Sequence, residues 1–417
     1  MINLLKSIYR KGFFHLLSSN LIVGFLSFGM IILVSKFLTP VEVGYIKLIQ
    51  SYAAFFIIIG LSGYNLSTLK LCSEDRAKIE KIKIFALSTR KIVINSVLAA
   101  LLMGVLSFFG LLSNDEIVSK WLVVYALVIP FAALGYNFIS YFQALKKIQL
   151  MATLQASVRL CFIVIVCIAT YFYGFVGLIY STIFSYLVGT LAYLWSTGVE
   201  FIKFIGIKEK FPKFEHYALF TFLGGIVTIF GQYSDMYLID YLEPNRELVG
   251  YYALATIFFL GATIVIGTVQ SIVTPHFSEK EHDNEWQRRA WIKYQLLTVV
   301  VAVGVAIATY LLAYLVVEFY YGVDYHQVVE FTSVLMIKFF VWSTYAVTGS
   351  ALVGLGKMKQ GLYIVLFSAP ISVLLGYLLY GNFGVLGVVY GQIFVNIFVM
   401  FVITIYMWRV INNASPA

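Results

Sequence analysis

Leu38-Thr-Pro-Val-Glu-Val-Gly-Tyr45 returns later in the chain as Leu242-Glu-Pro-Asn-Arg-Glu-Leu-Val-Gly-Tyr251, with two residues inserted. Two further pairs keep the same order. Lys146-Lys-Ile-Gln149 matches Lys357-Met-Lys-Gln360, and Phe175-Val-Gly-Leu-Ile-Tyr-Ser-Thr-Ile-Phe184 matches Val385-Leu-Gly-Val-Val-Tyr-Gly-Gln-Ile-Phe394. The offsets are 204 to 206, then 211, then 210. A single Pro…Gly-Tyr coincidence is easy to find. Three matches in order, at nearly constant offset, mark two halves built on one plan.

The sequence around the matches says what is repeated. A helix needs about 20 apolar residues to cross the hydrocarbon of a bilayer. Runs of that kind fall near 14–37, 45–69, 92–112, 120–142, 153–172 and 176–197, then 217–240, 250–275, 294–317, 329–352, 362–380 and 385–408. Only Tyr171-Phe-Tyr-Gly-Phe-Val-Gly177 separates the fifth from the sixth. Composition agrees: 61% of the 417 residues are hydrophobic and 12% are charged, with a mean hydropathy of +0.90. An average soluble domain carries roughly 25% charged residues, and a chain this apolar could not cover its surface in water. The sequence therefore predicts an all-α polytopic membrane protein of about twelve transmembrane helices.

Lys and Arg set the orientation. The N-terminal tail, the even-numbered loops and the C-terminal tail hold 23 of the 29, while the opposite loops hold only Lys120 and Arg246. By the positive-inside rule the first face is cytoplasmic, and twelve spans then put both termini there. The net charge of +9 is mostly this topology signal and calls for no nucleic acid. The basic stretch from Met1 to Gly12 leads into an apolar run with no A-x-A-like cleavage site after it, which reads as a retained first helix. Cys72, Cys161 and Cys167 are too few and too scattered for a disulfide framework or a zinc site.

Six spans separate the repeat copies, an even number, so both halves point the same way through the membrane. The expectation is a parallel repeat about an axis along the membrane normal, with two six-helix lobes around a midline cavity. Residues 1–198 form the first lobe, 199–216 a cytoplasmic linker and 217–417 the second lobe.

The Pro-x3–5-Gly-Tyr turns after spans 1 and 7, Asp235 late in span 7 within Gln232-Tyr-Ser-Asp235, and the 6+6 repeat resemble bacterial O-antigen flippases. These form the polysaccharide-transport branch of the MATE-like, or multidrug/oligosaccharidyl-lipid/polysaccharide, superfamily. The resemblance covers nearly the whole chain and is carried by the layout more than by the short motifs. It implies export of an undecaprenyl-pyrophosphate-linked oligosaccharide, an O-antigen or capsule repeat unit, from the cytoplasmic to the periplasmic leaflet of the bacterial inner membrane. It further implies that spans 1, 2, 7 and 8 line the cavity. The partners implied are the lipid-linked oligosaccharide, membrane lipids and other polysaccharide-assembly proteins. The chain has twelve spans where much of the superfamily has fourteen.

Ionisable groups at membrane depth are expensive, and each asks for a reason. Lys36, Lys47, Arg159, Asp235, Asp240 and Lys338 are the candidates. Lys338, the deepest, either lines the cavity or pairs with another helix. Arg159 and Lys47 lie near span ends, where long cationic side chains snorkel to the headgroups. Lys36 and Asp240 each precede the repeat's proline by four residues, so as symmetry mates of opposite sign they either bridge or sit at the interface. Asp235, with Gln232 one turn earlier, is placed to carry a proton or sodium ion or to pair with a lysine. Four cations against two anions suit a pyrophosphate group, whereas an exporter of cationic drugs would present acids. Asn20, Gln50, Asn65 and Gln232 are either sugar-binding groups or polar glue between helices.

No Walker A sequence occurs, since Gly354-Leu-Gly-Lys-Met lacks both the leading glycine and the Ser/Thr. HExxH and G-x-S-x-G are absent as well. A membrane glycan polymerase would need a large outward loop, and the longest here, around Glu318 to Gln327, has about ten residues. A multidrug or small-solute transporter of the same fold remains the nearer alternative.

Overall fold

The computed structural model describes residue 24 and residues 28–206, 209, 211–279 and 283–413. The described residues are nearly all helical, with no strand among them. Residues 28–35 are helical, and twelve α-helices follow in chain order. These are α1 (Pro40–Leu61), α2 (Tyr64–Ser73), α3 (Lys78–Phe108), α4 (Glu116–Tyr125), α5 (Val128–Ala144) and α6 (Ile148–Thr197). Then come α7 (Phe214–Leu242), α8 (Arg246–Glu279), α9 (Asn284–Val316), α10 (His326–Gly354), α11 (Met358–Phe383) and α12 (Val385–Asn413). Among the described residues nine helices are long and apolar enough to cross a membrane, and α4 with α5, bent by 49°, make a tenth. The first predicted span, 14–37, lies largely outside the described residues, and Asn20 with it.

The repeated proline motif turns out to be a helix start in both halves. In the first, Thr39 caps α1: its hydroxyl accepts from the Glu42 N–H while the Glu42 carboxylate accepts from the Thr39 N–H, and Pro40 fills the first helical turn. In the second, the Asn245 side chain accepts from the Glu247 N–H at the head of α8, and Glu243 accepts from the Asn245 N–H.

The fifth and sixth predicted spans form one helical stretch, α6, broken at Gly174 with φ 56° and ψ −140°. The arms fold back on each other there. Phe162 and Tyr186 meet edge to face with ring centroids 5.7 Å apart, where an unbroken helix would hold them about 36 Å apart. Between α11 and α12, Gly384 has the same φ 56° and ψ −140°. The two glycines thus make the same tight turn at the repeat's own offset.

The chain divides into two compact units, Met1–Phe230 and Gly231–Ala417. In the first, Phe85, Phe138, Phe142, Phe201 and Phe214 form one buried cluster, with Phe85 stacked on Tyr141. The stretch 199–216, expected as a linker, belongs to this unit: Phe201 and Phe211 are buried in the cluster. Lys83 pairs with Glu209 at 2.7 Å and Lys91 with Glu215 at 2.6 Å. In the second unit Val273, Phe277, Trp291, Leu352 and Met407 share a cluster, and the Trp291 indole N–H donates to the Thr348 hydroxyl at 3.0 Å. Leu98 and Leu101 on α3 and Leu296 and Val300 on α9 are exposed. Exposed leucines along helices of this length are faces turned to lipid.

Candidate functional site

Within the second unit, side chains from three helices meet at one carboxylate. Asp235 lies late in α7 and is 4% exposed, and Lys338, midway along α10, is 9% exposed. Lys338 Nζ donates to Asp235 Oδ2 at 3.2 Å. The Tyr252 hydroxyl, from α8, donates to the same oxygen at 2.6 Å, and Oδ1 accepts from the Met236 N–H at 2.9 Å. The ammonium also lies 4.8 Å from the centre of the Phe259 ring. Tyr252 and Phe259 are seven residues apart, two turns along one face of α8, so a single helix face closes over the ion pair. Beside it, Gln392 on α12 donates to the Ser234 hydroxyl at 3.2 Å.

The pair is largely shielded from water, with Asp235 4% and Lys338 9% exposed. In a low-dielectric interior the attraction between opposite charges rises steeply, and the phenol and backbone donors satisfy the remaining lone pairs that burial would otherwise penalise.

The other expected residues fall elsewhere. Asp240 pairs with Arg246 at 2.9 Å across the turn from α7 to α8. Lys36 is exposed and belongs to the first unit, Asp240 to the second. Lys47, read as snorkelling from the end of its span, is instead buried inside α1. Gln50 and Asn65 are half-buried in the first unit. Gln232 is exposed while Asp235 is buried, so the two do not share the buried face; three residues turn a helix by about 300°, which leaves them 60° apart. Arg159 sits in the first unit against Phe162, 5.1 Å from its ring centre. Of the ten expected residues, the structure brings Asp235 and Lys338 together, and it adds Tyr252, Phe259 and Gln392, which sequence reasoning missed. A tyrosine or phenylalanine in an apolar helix carries no signal of its own. Arg246 had one, since a turn two residues longer than its repeat mate brings it beside Asp240. Among the described residues no cluster of His, Cys, Asp and Glu could hold a metal ion.

The architecture resembles known structures. An inward-facing multidrug resistance MATE family transporter of the MOP superfamily superposes with a TM-score of 0.75 at 13% identity, covering 97% of this chain and 96% of that one. Lipid II flippase MurJ in an inward closed conformation gives 0.72 at 16% identity, covering 96% and 90%. A variant of the Vibrio cholerae MATE transporter VcmN gives 0.67 at 15%, covering 99% and 98%. A comparison of the sequence with curated proteins returned no match. The fold is that of the MATE-like membrane transporters and flippases. Within that class the chain belongs to the polysaccharide biosynthesis protein family, whose model matches residues 9–281, well over half its length.

Proposed function

We propose that the protein flips an undecaprenyl-pyrophosphate-linked oligosaccharide, an O-antigen or capsule repeat unit, from the cytoplasmic to the periplasmic leaflet of the bacterial inner membrane by alternating access. One observation carries the proposal: a chain of a polysaccharide biosynthesis family has a transporter's fold. The likeness to a lipid II flippase supports a lipid-linked substrate over a free sugar. Both termini and the loops rich in Lys and Arg lie in the cytoplasm, where other polysaccharide-assembly proteins deliver the substrate. The polyprenyl tail stays among the membrane lipids while the charged and sugar parts cross.

Asp235 and Lys338 serve as the coupling element in this scheme. A proton or sodium ion on Asp235 neutralises the partner of Lys338 and frees the ammonium for the pyrophosphate, and return of the carboxylate recaptures it. Lys36, Lys47, Asp240, Gln50, Asn65 and Gln232 contribute to the path rather than to coupling.

The test is reconstitution of the full chain in proteoliposomes carrying a fluorescent polyprenyl-diphosphate glycan, with transfer read by an impermeant quencher. Wild type should move the glycan across, and Asp235→Asn, which keeps size and hydrogen bonding but removes charge, should slow transfer sharply. Absence of transfer by folded wild-type protein sinks the flippase reading. If Asp235→Asn and Lys338→Ala both transfer normally, the pair is structural and coupling lies elsewhere.

A further inference from the structure

A second polar centre lies inside the first unit, away from the ion pair. A cavity of about 270 Å³ opens between α5 and the two arms of α6, just under the smallest drug-sized pockets. Gln155, Arg159 and Ser185 are among the polar groups on its wall, with Tyr136 and Phe162 among the aromatic ones, and none of its lining residues is a carboxylate. Arg159 Nε and Ser185 Oγ are both buried with no hydrogen-bond partner among the described residues. Ser185 is 3% exposed. Buried donors are normally paired, and a cation at membrane depth is costly without a counter-charge. The Phe162 ring lies against the guanidinium but cannot neutralise it.

The repeat shows that the fold does not require this polarity. On the first arm, at offsets of 210 to 211, Gln155 corresponds to Val365 or Leu366 and Arg159 to Ala369 or Pro370; past the glycine turn, where the match of Phe175–Phe184 with Val385–Phe394 sets the offset at 210, Ser185 corresponds to Val395. The second half builds the same helical hairpin, through the same glycine turn, with apolar residues at all three places. What the first half adds is a planar cation, a hydroxyl and an amide, all hydrogen-bond donors, around one small space.

We propose that this pocket binds the phosphate of an anionic phospholipid headgroup. A guanidinium matches phosphate oxygens with paired donors, and Ser185 and Gln155 donate to the remaining oxygens. The flanks of α6 favour a lipid over a free ion: Leu160, Val164 and Leu191 are exposed and offer apolar surface for acyl chains. The site is independent of the flipping proposed above and stands or falls without it.

The test uses the full-length protein in neutral detergent, titrated with phosphatidylglycerol and read by native mass spectrometry. Arg159→Gln should weaken retention by about tenfold or more, as loss of a charge-assisted bidentate contact does, and Ser185→Ala should weaken it measurably. Lys203→Gln, which removes an exposed cation outside the pocket, should bind as wild type. Phosphatidylcholine, whose phosphate is already balanced by choline, should bind more weakly than phosphatidylglycerol. Inorganic phosphate at equal concentration should not compete; if it does, the site takes a free anion and the lipid assignment is overturned. Wild-type retention by Arg159→Gln overturns the site itself. Should that variant fail to fold, Ser185→Ala and Gln155→Leu carry the test, and wild-type retention by both overturns it equally.

Discussion

Asp235 accepts from Lys338, Tyr252 and its neighbour's N–H, and each donor makes the others more valuable. Removing one member of a buried pair strands the other charge, at a cost of about 3–5 kcal/mol, while replacing both with apolar residues is often close to neutral. Asp235→Leu should therefore lower the thermal midpoint in detergent more than the double variant Asp235→Leu with Lys338→Met. Simple addition of the two single losses in the double variant would show that the groups are not coupled. Outside the spans, burial pushes the Cys72 thiol up to about 12 despite the opposing pull of Lys81 and Arg76. Because the thiolate is the reactive form, very little of the Cys72 thiol is reactive at pH 8. Cys72 should thus resist N-ethylmaleimide in the folded protein and react once denatured, a difference that mass spectrometry of the alkylated peptide reads directly.

At the scale of elements, Gly174 and Gly384 hold φ 56° and ψ −140° with no neighbour within 4 Å of a built Cβ. An alanine would meet no clash, so its whole penalty is backbone strain, about 1–3 kcal/mol at each site. Gly174→Ala and Gly384→Ala should each lower the thermal midpoint, by similar amounts because the turns match. A wild-type midpoint for either would mean that the turn does not depend on this geometry. These turns show what was legible in the sequence. Runs of some twenty apolar residues announced the helices, because length against bilayer thickness is a one-dimensional property. The break within Tyr171 to Gly177 was legible as a short gap, and the repeat located its mate. The role of residues 199–216 was not, because a polar, charged stretch reads as a linker until Phe201 and Phe211 find their cluster. The ion pair was half legible: Asp235 and Lys338 stood out as costly groups, but which faces of two distant helices meet is a question of helix phase, and apolar helices with little facial asymmetry hide it.

For the molecule as a whole, the positive-inside bias predicts that cysteines introduced near Asn114, Asn245 and Asn382 react with an impermeant maleimide added outside intact cells. A cysteine near Lys78 should be spared until the membrane is opened. Labelling at Lys78 in intact cells would reverse the orientation. The bias is legible because it is a count of charges on alternate loops, whereas the substrate is not, since glycan recognition depends on the positions of hydroxyl and amide groups in three dimensions. The fold and family narrow that question to polysaccharide biosynthesis, and the chemistry of the two polar centres must supply the rest.

The Asp235–Lys338 pair also sets a problem of timing during synthesis. The two residues are 103 apart in sequence, about 5–20 s of translation at typical rates. During that interval α7 has left the ribosome with an acid that α10 is not yet present to neutralise, and an ionisable group within a membrane helix is costly. Tyr252, only 17 residues on, arrives much sooner and supplies the first side-chain donor. Of the two side chains that donate to Asp235, the hydroxyl is therefore the one made in time for the α7–α8 hairpin, and the ammonium is the late arrival.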